Sequence, residues 1–376
     1  LDAGTLLFDA PLDAGFLPSA FGGVVQVKKD AFAVIGGLSR LTITPDQGGL
    51  AFSLCPEGAP KCGFIDSVQV YDFANDKSYT SPLDRAVAMP VVWRLNEGVA
   101  AVFGGMAFED GDLTLSRNGL LCSYAGFPEV SCDAYDGVLS GPRVGHAGVC
   151  VKATGEVPFS CDEFLVLGGN SPDSATTMGD LMVVEKKGAS YSIKPVPLRV
   201  DADAAGDPVA HAFGLQPFQA GARWYTLGGA RFREGAVGIV APDLGAYRYV
   251  LDAGGQSITP IPVAVEGLPS EGADLIKRVF HQIVTWQTET GSTILVVGGL
   301  NGAGRATDDV LVLTEEGGSL RFKRSFKLAR ARFGASVVPL DNPFLPDAFV
   351  VSGGFRVAKG ALVPVYGTEV ILLPVE

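Results

Sequence analysis

Along this chain, short apolar runs end repeatedly at a pair of glycines. The six copies are Phe32-Ala-Val-Ile-Gly36-Gly37, Ala101-Val-Phe-Gly104-Gly105, Phe164-Leu-Val-Leu-Gly168-Gly169, Trp224-Tyr-Thr-Leu-Gly228-Gly229, Ile294-Leu-Val-Val-Gly298-Gly299 and Phe349-Val-Val-Ser-Gly353-Gly354. Their first glycines lie 68, 64, 60, 70 and 55 residues apart, so six units tile the 376 residues. Around each pair the apolar positions alternate or run continuously, which marks strands rather than helices. Unit 3 is the most complete. It predicts strands over 145–151, 163–169, 180–184 and 190–194, and the third of these recurs at 67–72, 309–313 and 369–373. The one segment with a helical look, Ala273-Asp-Leu-Ile-Lys-Arg-Val-Phe280, is read as a strand from its place in the repeat.

Four antiparallel strands per unit, six times over, predict an all-β fold: a single six-bladed β-propeller. The approximate blades are 16–81, 82–140, 141–200, 201–265, 266–328, and 329–376 completed by 1–15. The last unit reaches only its third strand, whereas Thr5-Leu-Leu-Phe-Asp9 reads as a fourth strand without a unit. Residues 4–10 are therefore expected to complete unit 6 and remove an open sheet edge.

Apolar residues make up 47% of the chain and charged residues 19%, enough to bury a core without disordered tracts. The net charge of −12 argues against nucleic acid or an anionic membrane surface as partner. No apolar run approaches the ~18 residues of a membrane span. The chain starts at Leu1 without a leader pattern, which leaves a removed targeting segment and a trimmed start equally open. The six cysteines fall as Cys55/Cys62, Cys122/Cys132 and Cys150/Cys161, each pair inside one unit. Of the 15 pairings open to six cysteines, this local one is expected, as Cys55–Cys62, Cys122–Cys132 and Cys150–Cys161. The alternative is six buried free thiols. Disulfides point to an oxidising compartment, so the chain is expected to be secreted, periplasmic or on a cell surface.

With the residues before the first strand added, the chain resembles the kelch-repeat β-propellers, in particular exported ones of bacterial type. That family carries Arg-x-x-His before the first strand, a Gly-Gly ending the second, an acidic residue opening the third, and a spaced tyrosine and tryptophan. Arg143-Val-Gly-His146 and Arg278-Val-Phe-His281 match the first element; Arg85, His211 and Arg332 match it in part. Tyr71-Asp72 followed by Tyr79 approximates the aromatic pair once. The chain departs in placing Trp93, Trp224 and Trp286 in first or second strands, and in units longer than the usual ~50 residues.

The candidate chemistry falls at repeat positions. His146, His211 and His281 read as one phase in consecutive units, expected to be hydrogen-bonded to backbone; a shared metal is the sharper alternative. Arg85, Arg143, Arg278 and Arg332 read as one phase near the funnel of the resembled fold. There they would either bind a carboxylate-bearing ligand or pair with acidic residues. Asp112, Asp180, Asp309 and Glu369 read as caps of third strands. No cofactor is expected, although Glu109-Asp-Gly-Asp112 leaves room for a structural calcium.

Neither a Gly-x-Ser-x-Gly, a His-Glu-x-x-His nor a P-loop occurs, and no residue is assigned a catalytic role. Some propellers of the resembled kind are copper oxidases or sugar-acid isomerases. The expected function is nonetheless a non-catalytic recognition or scaffold module for a protein or carbohydrate partner. It would bind through the funnel or the inserted loops 38–66, 106–118, 170–179, 230–236 and 300–308. The alternative is a carbohydrate or sugar-acid enzyme with its site at the funnel.

Overall fold

The computed structural model describes residues 4–8, 16, 19–46, 49–53, 60–109, 111–136, 139–154, 160–170, 179–188, 190–200, 213–232, 239–241, 244–252, 255–269, 272–288, 291–342, 345–358 and 361–373. Among these the chain is all-β apart from a 3-10 turn and one four-residue helix. Six antiparallel four-strand arrays, sheets 1 to 6, dominate. The first five pair in chain order, the sixth takes its last strand from the chain start, and Val265–Glu266 adds a short parallel edge to the fifth. Sheet 1 consists of Gly23–Lys28, Ala31–Ile35, Ser67–Asp72 and Lys77–Pro82, and sheet 2 of Val91–Asn96, Val99–Phe103, Gly119–Ser123 and Ser131–Tyr135. Sheet 3 runs Val144–Thr154, Ser160–Asn170, Gly179–Lys187 and Ser190–Val200. Sheet 4 runs Gln216–Ala220, Arg223–Leu227, Ala246–Leu251 and Ser257–Val263. Two parallel pairs, Arg199 with Ser257 and Val200 with Ile258, join sheets 3 and 4 into one eight-stranded sheet.

Sheet 5 comprises Gln282–Thr288, Gly291–Val297, Asp309–Glu316 and Ser319–Lys327. Sheet 6 takes Ser336–Asn342, Leu345–Ser352 and Thr368–Leu372 from the end of the chain and Gly4–Phe8 from its start. The N-terminal strand pairs antiparallel with Thr368–Leu372, from Gly4 opposite Leu372 to Phe8 opposite Thr368.

The second strands are apolar on both faces because each sheet is covered on both sides. Ile35 and Val70 of sheet 1 pack with Val102 and Leu120 of sheet 2. Phe103 of sheet 2 packs with Phe164 of sheet 3, their rings stacked at 5.0 Å. The succession continues between sheets 3 and 4, 4 and 5, and 5 and 6. Phe32, Val34 and Tyr71 of sheet 1 then meet Val338 of sheet 6. The six first strands accordingly neighbour one another in a closed cyclic order.

This packing accounts for the glycine pairs. Every first glycine sits at φ between +61° and +68° and every second one between +83° and +112°, where side chains are strained. In five units the second glycine donates its N–H to a carbonyl of the next unit, just ahead of its first strand: Gly37 to Val87 (2.7 Å), Gly105 to Arg143 (2.9 Å), Gly229 to Arg278 (2.7 Å), Gly299 to Arg332 (2.9 Å) and Gly354 to Ser19 (3.0 Å). A Cβ on Gly36, Gly228, Gly298 or Gly353 would stand 2.2–2.4 Å from that same carbonyl oxygen. The motif is thus a sheet-to-sheet contact as much as a turn.

Chain inserted after the second strands builds secondary hairpins. The insertion of unit 1, Thr42–Asp46 and Gly49–Ser53, forms one sheet with Ile239–Ala241 and Arg231–Phe232 from unit 4, three units further round the cycle. Met106–Glu109 and Asp112–Leu115 pair with each other and with Ala86–Ala88. Asp112 therefore belongs to this hairpin and not to the third strand of sheet 2, which begins at Gly119. Phe355–Ala358 and Ala361–Pro364 form a further hairpin that the sequence reading did not include among its loops. Residues 171–178 of the third expected loop lie outside the described residues.

One strand expectation is corrected. Ala273–Ile276 is a short helix, and only Arg278–Val279 is extended, pairing with Leu300–Asn301. The helical turn buries Ile276 against sheets 4 and 5 and aims the Leu275 carbonyl at the Arg278 Nε, 2.5 Å away.

Candidate functional site: an axial chamber

Each first strand is entered through a residue in the left-handed region: Phe21, Met89, Gly145, Gly214, Phe280 and Gly334, at φ between +56° and +70°. Five backbone hydrogen bonds link these residues around the cycle. Met89 donates to Phe21 (2.8 Å), Phe21 to Gly334 (3.1 Å), Gly334 to Phe280 (2.8 Å), Phe280 to Gly214 (3.5 Å) and Gly214 to Gly145 (2.8 Å). The glycines make room for the large members. A Cβ on Gly145 would lie 2.2 Å from the Phe213 ring, and one on Gly334 2.8 Å from the Phe21 ring. Phe21, Phe213 and Phe280 then meet edge to face, at 4.7 and 5.3 Å, within an apolar cluster that includes Phe333 and Phe355. An aromatic plug closes this end of the axis.

From the plug, a cavity of about 540 Å³ follows the first strands to Ala153 and Gly221. Its walls differ. The amides Gln216, Gln219 and Gln282, with Thr285, come from sheets 4 and 5, which also contribute Phe218, Ile283 and Trp286; sheets 1 to 3 contribute Val24, Val92, Trp93, Ala147 and Val149 together with the buried His146. Trp93 stacks on Phe164 at 5.6 Å, and Trp286, also in the lining, lies 5.2 Å from Phe349, so both indoles are held from behind. Among the described residues, no Asp, Glu, Lys or Arg lines the chamber.

The arginines singled out in the sequence lie elsewhere. Arg143, Arg278 and Arg332 are fully buried. Each guanidinium donates to the first glycine carbonyl of its own unit: Arg143 to Gly168 (3.4 Å), Arg278 to Gly298 (2.7 Å) and Arg332 to Gly353 (3.1 Å). Arg143 also pairs with Asp180 at 3.1 Å, and Arg332 with Glu369 at 2.5 Å. Since their own carbonyls accept the preceding unit's glycine N–H, these arginines tie two sheets together. Burial pulls all three below the ordinary guanidinium range, Arg278 to about 10. They remain cations at neutral pH. Arg85 is half-buried and out of phase with them: the matching position in unit 2 is Val87, whose carbonyl receives Gly37. Asp309 lies beside Lys327 (2.8 Å) and accepts the Thr307 hydroxyl at 2.6 Å.

His146 and His281 each follow the left-handed residue and reach into the preceding sheet. The His146 Nε2–H donates to the Phe103 carbonyl at 3.3 Å, and His281 lies against the Leu227 and Arg278 carbonyls. In unit 4 the matching position is Leu215. His211 lies three residues before the left-handed Gly214, out of phase with the other two, and outside the described residues. No group of three or more His, Cys, Asp or Glu gathers as metal ligands among the described residues.

Burial, reinforced by the neighbouring arginine, lowers both histidines to about 3. Their folded-state pKa values are depressed from 6.5, so their contribution is complete above pH 6.5 and is lost as pH falls towards 3. Stability should fall by about 1.4 kcal/mol per pH unit per histidine within that window. Denaturant titrations between pH 7.5 and 4.5 should show this slope in the parent chain and a flatter one in a His146→Gln/His281→Gln variant. Equal slopes would remove the histidines as its source.

Cys122 and Cys132 face one another across the third and fourth strands of sheet 2 and are disulfide-bonded. Cys150–Cys161 joins the first and second strands of sheet 3. Cys62 is also disulfide-bonded, and its expected partner Cys55 lies outside the described residues. Comparison with models of known protein families finds no match, and a search of curated proteins finds no significantly similar sequence.

The sequence pattern does not mark the chamber's amides. Gln216 and Gln282 occupy one repeat position, two residues after Gly214 and Phe280. In a half-exposed strand, a polar residue at that spacing reads as a solvent-facing one. The available signal was the placement of Trp93 and Trp286 in first strands.

Proposed function

We propose that the chain is an exported six-bladed propeller of kelch type that acts as a non-catalytic recognition module for a carbohydrate or protein partner. The cyclic order of the sheets, the axial ring of backbone hydrogen bonds and the terminal strand in sheet 6 support the propeller. The disulfides support an oxidising compartment. One observation carries the functional part. The axial chamber is lined by uncharged side chains, while the arginines and acids of the repeat are consumed in ties between strands. Glycoside hydrolysis or proton abstraction from a sugar acid needs converging acid and base groups; the titratable side chain in the described lining is His146, buried, held neutral and bonded to the Phe103 carbonyl, with no second acid or base beside it there.

The test is immobilised protein on arrays of glycans and secreted proteins, followed by prolonged incubation of any binder. Saturable binding with the binder recovered chemically unchanged is the expected result. Turnover of a bound glycan, or no saturable binder on either array, would overturn the reading.

A further inference from the structure

We infer that the axial chamber receives the end of a neutral saccharide, one or two pyranose rings deep. This rests on the recognition reading above and narrows it to one site and one ligand chemistry. The cavity of about 540 Å³ falls within the ~300–1,000 Å³ of small-molecule sites. It is blind, because Phe21, Phe213 and Phe280 close the axis at one end. A ligand therefore enters end-on, from the side where Ala153 and Gly221 lie.

The amide side chains of the lining all lie on one side, on sheets 4 and 5, among apolar neighbours. Gln216 and Gln282 stand at one height on adjacent sheets, with Gln219 and Thr285 three residues further along the same strands. Each amide offers two donors and an acceptor, which suits vicinal hydroxyls that both donate and accept. Opposite them, Val24, Val92 and the half-buried Trp93 give an apolar surface for the C–H face of a sugar ring. An aliphatic ligand would displace water from the Gln216 and Gln282 amides without replacing its hydrogen bonds. A uronate, an amino sugar or a peptide terminus would bring a charge into a chamber with no counter-charge in its lining. An uncharged molecule with one polar and one apolar face meets both walls.

Intrinsic tryptophan fluorescence, titrated with maltose, cellobiose, lactose and diacetylchitobiose and in parallel with digalacturonate and glucosamine, tests the assignment. At least one neutral disaccharide should give a saturable change. Gln216→Leu and Gln282→Leu should each weaken it tenfold or more with the melting temperature unchanged, and Thr285→Val should do so to a lesser degree. Preference for a charged sugar would overturn the inference, as would neutral binding indifferent to all three substitutions. Silence towards every sugar would also overturn it. If a protein ligand from the array still bound in that last case, the recognition reading would stand without this site.

Discussion

Removal of residues 1–10 lowers the stability of the whole molecule, although it deletes only one edge strand. Gly4–Phe8 supplies the fourth strand of sheet 6, paired over five residues with Thr368–Leu372. Its loss frees about five backbone hydrogen bonds, at about 1 kcal/mol each. At about 1.3 °C per kcal/mol for a chain of this length unfolding as one unit, the expected fall in Tm is about 6 °C. The exposed strand edge should also promote self-association. A peptide of residues 1–12 added in trans should restore the melting temperature, because the lost contacts are backbone pairings with a fixed register. An unchanged melting curve would mean that the N-terminal strand is not part of the cooperative unit.

That pairing was readable from the sequence because an orphan strand at one end and an incomplete unit at the other leave few ways to satisfy an open edge. The glycine pairs were readable for a related reason. At φ near +64°, with a carbonyl 2.2–2.4 Å from where a Cβ would stand in four units and the His146 ring 2.5 Å away at Gly104, only glycine fits without strain. Other positions admit several solutions and were misread accordingly. The entry to the first strand is glycine in three units but Phe21, Met89 and Phe280 in the others, with the strain of the large residues offset by packing in the plug. This irregularity hid the register of unit 4, where Leu215 and not His211 follows the left-handed residue. Asp112 was misplaced because its acidic-then-apolar pattern suits an inserted hairpin as well as a third strand. The chamber was invisible for a different reason: its amides come from separate units, and only the cyclic packing of the sheets brings Gln216 and Gln282 side by side.

Substitution of Arg332 by methionine should be among the most damaging single changes in the chain. Arg332 and Glu369 are both fully buried at 2.5 Å, and the guanidinium also holds the Gly353 and Gly367 carbonyls at 3.1 and 3.0 Å. Methionine fills comparable space but leaves the buried Glu369 without its cation, held by the N–H groups of Ala329 and Arg330. Stranding one member of a buried pair costs about 3–5 kcal/mol. Arg332→Lys keeps the charge but not the fork that reaches three acceptors, so it should fall between parent and methionine. The double variant Arg332→Met/Glu369→Leu should recover much of the loss, since neither charge is then buried alone. Lys194→Met, which breaks an exposed pair with Glu185, should cost under about 1 kcal/mol. Urea midpoints for these four variants separate the possibilities. If Arg332→Met cost no more than Lys194→Met, the buried arginines would not be the ties between sheets, and their position at the glycine carbonyls would need another cause. If the ranking holds, the charge at these repeat positions serves the scaffold and is not free to meet a ligand.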